Sequence, residues 1–150
     1  MGFLRRLAVP FVVALAMVLI LAGSVAAASA TATTVRDTCT VTGGAWGSGY
    51  IALKVRATER GLAGVTRIRF VASLMHQPRN NSATWTLHQT QQHTSTAFPD
   101  TAGVHSRTWT AVWNLGGDTA AYRHRIDVTV WFISASGQVF ATRGVLGSSC

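Results

Sequence analysis

From Tyr122 to Ser134 the chain reads YRHRIDVTVWFIS, in which Tyr122, Ile126, Val128, Val130 and Phe132 alternate with Arg123, Arg125, Asp127, Thr129 and Trp131. A period of two sends successive side chains to opposite faces of a strand, whereas a helix needs apolar residues every three or four positions. The same alternation recurs in YIALKVRAT, where Ile51, Leu53, Val55 and Ala57 oppose Tyr50, Ala52, Lys54 and Arg56. In TRIRFVASL, Ile68, Phe70, Ala72 and Leu74 oppose Arg67, Arg69, Val71 and Ser73. TTVRDTCTV places Val35, Asp37, Cys39 and Val41 on one face, and HSRTWTAVWN does so with Trp109, Ala111 and Trp113. ATWTLHQT sets Trp85 and Leu87 against Thr86 and His88, and QVFATRGVL closes the chain. No stretch of this part shows sustained helical periodicity.

Turn chemistry separates these runs. TGGAWGSG, ERGLAG, QPRNN, FPDTAG, NLGGD and SASG supply the Gly, Pro, Asn and Asp that chain reversals require. The stretch from His76 to Gly103 is polar and rich in Gln, Thr and His, and predicts one edge strand around Trp85–Gln89 between long loops. SASGQ predicts a tight hairpin between the last two strands. Seven short strands so spaced predict an all-β, two-sheet sandwich.

The ends of the chain predict its compartment. MGFLRR carries Arg5 and Arg6, Leu7–Gly23 runs without a charge, and SVAAASA ends in small residues at Ala28 and Ala30. A basic start, an apolar middle and an A-x-A-like end are the three parts of a secretory signal peptide. Residues 1–30 are therefore expected to be a leader cleaved after Ala30, with 31–150 as one sandwich domain and no membrane span after cleavage. A retained anchor is the rival reading. In an exported chain the two cysteines, Cys39 and Cys150, predict an intramolecular disulfide, because oxidising compartments let the bond persist. The rival is a Cys150 on a free GSSC tail that pairs with a second molecule. In the chain-entropy model, closing a loop of roughly 100 residues contributes about 4.7 kcal/mol. In sandwiches the first and last strands commonly run side by side and parallel. Cys39 near the end of the first strand and Cys150 beyond the last would then clasp them.

GVTRIRFVASL, the Trp-bearing strand after it, and YRHRIDVTVWFISASGQV together resemble the strand pattern of bacterial immunoglobulin-like and fibronectin type III-like extracellular modules. The resemblance spans Gly64 to Val139 and implies an immunoglobulin-like sandwich. The chain departs from the antibody pattern in its cysteines, which flank the domain instead of joining two central strands, and in having no Trp within TRIRFVASL.

Chemistry-bearing residues are sparse. The five carboxylates, Asp37, Glu59, Asp100, Asp118 and Asp127, form no pair close in sequence of the kind that glycosidases use. No G-x-S-x-G elbow is present, and cysteines held in a disulfide offer no thiolate. The expectation is a non-catalytic protein without cofactor. His76, His88, His93, His105 and His124 read as exposed loop residues, not as a metal site, since His88 and His93 fall on opposite faces of any strand. NNS at Asn80 is formally a glycosylation sequon and reads as a turn.

The net charge of +8 comes from thirteen basic residues against five acids, and Lys54 is the only lysine. Arginine in place of lysine, with much Ala, Gly and Thr, is also what GC-rich bacterial coding produces. Such a balance serves solubility or an acidic partner. In an immunoglobulin-like arrangement the third and sixth strands adjoin, which would set Arg67 and Arg69 beside Arg123 and Arg125, with Trp131 along the same face. Four guanidiniums and an indole suit phosphate or carboxylate capture with stacking. The sequence thus predicts a small secreted, non-catalytic binding or interaction module, with an anionic cell-envelope polymer as the partner class for this face. A merely solvated face, with Asp127 pairing one or more of the arginines and Trp131 covered by a loop, is the rival reading. The alternative is a structural module that contacts another extracellular protein, and a diverged secreted hydrolase ranks behind both.

Overall fold

The computed structural model describes residues 27–41, 49–80, 84–101 and 103–150. Among them run seven strands: β1 (Ser29–Val41), β2 (Gly49–Arg60), β3 (Arg67–Pro78), β4 (Thr86–Thr94), β5 (Val104–Asn114), β6 (Tyr122–Ile133) and β7 (Val139–Leu146). A short 3-10 turn, Gly116–Ala120, joins β5 to β6 where the sequence predicts a loop at NLGGD. Every pairing is antiparallel, and the strands form two sheets ordered β1-β2-β5 and β4-β3-β6-β7. The all-β two-sheet sandwich expected from the alternation is the architecture observed.

The alternation sets the core. Ile51, Leu53, Val55 and Ala57 from β2 face Ile68, Phe70, Ala72 and Leu74 from β3 and Ile126, Val128, Val130 and Phe132 from β6, all buried. Interdigitation of the two inner faces is what holds such sheets together. Trp109 and Phe70 lie 5.9 Å apart between ring centroids, and Trp109 stacks on His93 of β4 at 5.9 Å. The SASGQ hairpin forms as expected: Gly137 N–H donates to Ser134 O at 3.1 Å and Ser134 N–H to Gln138 O at 2.9 Å.

Three expectations shift in detail. β4 starts after Trp85 and extends to Thr94, so the edge strand is displaced toward the C-terminus and longer than predicted. A bulge between Thr34 and Arg36 makes Val35 an extra residue, 44% exposed, so it leaves the face of Asp37 and Cys39. β1 begins at Ser29, and Ala30 is buried within it. Of the leader expected over 1–30, residues 1–26 lie outside the described residues, as does most of the TGGAWGSG turn. Among the described residues, no helix is long and apolar enough to cross a membrane.

The disulfide joins Cys39 to Cys150, with Cα atoms 6.2 Å apart and a sequence separation of 111. Arg143 Nε donates to Ala30 O at 2.8 Å, and Ser148 N–H donates to Asp37 Oδ2. Contacts that rise in the same order along both strands mean that β1 and β7 run parallel. They do so as facing edges of different sheets, not as neighbours in one ladder. The terminal residue is no loose tail: His124 and Cys150 exchange two backbone hydrogen bonds of 2.9 Å, and Gly147 N–H donates to Ile126 O. A Cβ at position 147 would stand 2.9 Å from Ile126 O, so only glycine lets the tail lie this close to β6.

Candidate anion-binding faces

The four arginines expected to cluster are divided by register. Arg69 pairs with Trp131 and Arg67 with Ile133, whereas Arg125 pairs with Met75 and Arg123 with Gln77. All share the outer face of the four-stranded sheet, but antiparallel strands bring the start of β3 to the end of β6. Six residues of β6 therefore separate Trp131 from Arg125, about 20 Å at a strand's rise. Arg125 is also committed. Its Nε and Nη2 hold Asp127 Oδ1 and Oδ2 at 2.9 and 3.0 Å, and its guanidinium lies 4.5 Å from the Trp85 ring centre. Arg69 Nε donates to Thr94 Oγ1 at 3.3 Å, and the guanidinium stands 6.0 Å from the Trp131 ring. Two separate Arg–Trp pairs replace the single patch.

The outer face of the opposite sheet carries a cationic surface that no described acid interrupts. Along β2, even-numbered residues Tyr50, Ala52, Lys54, Arg56, Thr58 and Arg60 point outward while odd-numbered ones fill the core. The bulge at Val35 restores phase so that Arg36 of β1 stands directly across from Lys54. On the other side Lys54 meets Thr110, Arg56 meets Thr108 and Arg60 meets Val104. Arg36, Lys54, Arg56 and Arg60 thus share one face with threonines, and no carboxylate stands among its described residues. Asp37 and Glu59, the acids of these strands, both sit at positions turned inward. Cross-strand like charges with nothing between them are destabilising. A groove of about 280 Å³ opens here, lined by Arg36, Thr38, Tyr50, Ala52, Lys54 and Thr110. Lys54 and Arg56 stand on the solvent face in the sequence alternation, but only the register adds Arg36.

A third grouping was not visible in the sequence. Glu59, 2% exposed, holds the backbone N–H of Leu62 on Oε2 at 3.1 Å and His105 Nδ1 on Oε1. The His105 ring stacks at 4.4 Å on Phe98 of the segment between β4 and β5, and Arg107, two residues along β5, lies 5.2 Å over the same ring. Asp100 Oδ1 accepts from Gly64 N–H at 2.8 Å. Glu59 is spent on tying β2 to the following loop and to β5, and Asp100 on tying one loop to another. No hydroxyl or thiol among the described residues is hydrogen-bonded to His105 as a nucleophile would be. The arrangement is a buried staple.

The histidines depart from the loop reading, because all five lie on strands. His76 is on β3, His88 and His93 on β4, His105 on β5 and His124 on β6. His124 is fully buried and His76 stacks on Tyr122 at 4.6 Å. The runs ATWTLHQT, HSRTWTAVWN and YRHRIDVTVWFIS already carry His88, His105 and His124, while His76 and His93 join strands because β3 continues to Pro78 and β4 to Thr94. Among the described residues no group of three or more His, Cys, Asp or Glu is arranged to hold a metal ion.

No family model matches this chain, and no curated protein does. Among solved structures it is similar to a β-glucosidase from Kluyveromyces marxianus crystallised with glucose, at 9% identity and a TM-score of 0.34. That likeness covers 81% of this chain and 14% of the enzyme. A second crystal structure of that β-glucosidase gives 8% identity, a TM-score of 0.33, and coverage of 82% and 14%. The chain thus spans a small fraction of the enzyme's length, and a likeness this distant carries neither fold nor activity across.

Proposed function

We propose that this protein is an exported, non-catalytic module, immunoglobulin-like or fibronectin type III-like in arrangement, that binds an anionic polymer at or outside the cell envelope. One observation carries the reading. Arg36, Lys54, Arg56 and Arg60 share the outer face of β1-β2-β5 with no acid among its described residues to offset them. Charges placed against one another cost stability, and a polyanion laid along β2 removes that cost while releasing its own counterions. The disulfide suits an oxidising compartment.

Retention on immobilised polyanions tests it. Arg36/Lys54/Arg56/Arg60→Gln is expected to lose roughly 100-fold in affinity at low salt, with the salt slope falling by about one unit per cation removed. The matched variant Arg67/Arg69/Arg123/Arg125→Gln is expected to lose much less, because Arg125 is already neutralised by Asp127. Equal retention of the first variant and the native protein would sink the proposal.

A second reading has its own support. β4 is a sheet edge, exposed at every position except Gln91, which is half-buried. An open edge of that kind accepts an added strand from another protein. A proline in β4 that abolished partner capture while leaving polyanion retention intact would favour it.

A further inference from the structure

The cationic face is not uniform, and a concavity among its described residues is chemically different from the rest. Tyr50, Ala52 and Lys54 follow one another on the outer side of β2, so the small Ala52 side chain leaves a gap between two long neighbours. The gap is the groove of about 280 Å³. Thr38 stands across from Ala52 and Thr110 across from Lys54, placing a hydroxyl on each flank. Tyr50, 41% exposed, forms one wall, and Arg36 with Lys54 forms the other. Beyond it the face continues as bare charge, with Arg56 between Thr33 and Thr108, Arg60 between Ser29 and Val104, and no aromatic ring among the described residues there.

We infer that this groove takes one acidic sugar unit of the polymer, a uronate, with its ring against Tyr50 and its carboxylate on Arg36 and Lys54. The inference rests on the reading of this face as the polyanion surface. A sugar ring has an apolar face that packs on an amphipathic aromatic side chain. Its carboxylate matches the two-pronged guanidinium of Arg36 and the compact ammonium of Lys54. Its hydroxyls meet Thr38 and Thr110, whose side chains both donate and accept. Arg56 and Arg60 then hold the charges of following units, since alternate residues of a strand lie about 7 Å apart. A polyphosphate offers no ring for Tyr50 and no hydroxyls for the threonines. Single-stranded nucleic acid is served by several stacking platforms in succession, and the described residues of this face provide one.

The test measures binding of the purified protein to three labelled probes: a short oligogalacturonate, a polyphosphate of equal charge and oligothymidylate. Tyr50→Ala and Ala52→Leu, the second filling the groove without altering charge, are each expected to weaken oligogalacturonate about tenfold. Both are expected to leave polyphosphate within about twofold, because its contacts are charge alone. Both side chains lie on the solvent side of β2, so near-ultraviolet dichroism is expected to stay native-like apart from the tyrosine band lost in Tyr50→Ala. If both variants bind oligogalacturonate as the native protein does, while the Arg/Lys→Gln variant loses all three probes, the groove inference is overturned and the basic face stands. If the native protein binds none of the probes, both readings fall together. Tyr50-dependent binding of oligothymidylate tighter than that of oligogalacturonate overturns the sugar assignment.

Discussion

The two sheets dispose of their charge in opposite ways. In β1-β2-β5 the parity of the strands sorts the signs: Arg36, Lys54, Arg56 and Arg60 point to solvent, while Asp37 and Glu59 sit at inward positions. In β4-β3-β6-β7 both signs share the outer face, and Arg125 closes on Asp127 two residues along the same strand. The first sheet spends its acids on architecture, Asp37 on the seam with β7 and Glu59 on the loop end. The second spends Asp127 on silencing a cation. Composition alone, thirteen bases against five acids, contains none of this difference.

The largest expected effect comes from cutting what joins the sheets. Cys39→Ser with Cys150→Ser removes a cross-link over 111 residues, expected to cost about 3 to 4 kcal/mol in denaturant unfolding. Because Cys150 also pairs with His124, amide exchange should rise first in β1, whose other ties to the second sheet are Asp37 and Arg143. Faster exchange in β3 than in β1 would show that the clasp guards the four-stranded sheet instead.

Next comes the contrast between the two kinds of acid. Glu59→Ala leaves the Leu62 amide and the His105 ring without their acceptor in a buried site, expected to cost about 3 kcal/mol. Asp127→Ala removes an acid whose side chain is 24% exposed, and a half-buried pair at the surface is expected to contribute about 0.5 to 1 kcal/mol. Urea unfolding of both variants measures the gap. Equal losses would mean that the staple and the surface pair do the same job, and the contrast between the sheets would collapse.

Much of this architecture was legible in the sequence, because a half-buried strand must alternate. YIALKVRAT put Lys54 and Arg56 on the solvent side, and YRHRIDVTVWFIS put Arg123, Arg125 and Trp131 there. What alternation cannot supply is position along a neighbour. The β3–β6 register separated Arg67 and Arg69 from Arg123 and Arg125, and the β1–β2 register, with its bulge at Val35, brought Arg36 to Lys54. Glu59 and His105 lie 46 residues apart and meet only through the β2–β5 ladder. Each of these depends on which residues face each other across a ladder, a property of pairs that no single stretch encodes.

The smallest effect bears most directly on which face binds. Asp127→Asn keeps a side chain of the same size but frees the Arg125 guanidinium from its bidentate partner. The four-stranded face then gains one net positive charge without touching β1-β2-β5. If binding belongs to the face of Arg36, Lys54, Arg56 and Arg60, the new charge acts only at long range through salt solution, where screening sets in within about 10 Å at 0.1 M. Polyanion affinity is therefore expected to rise by no more than about twofold, and the rise to vanish at higher salt. The salt slope should stay as in the native protein, since no additional cation enters the contact. A rise of tenfold with a slope steeper by one unit would place the polymer on Arg125, Trp85 and their neighbours. The acid that silences the second face would then be the switch that keeps it from binding.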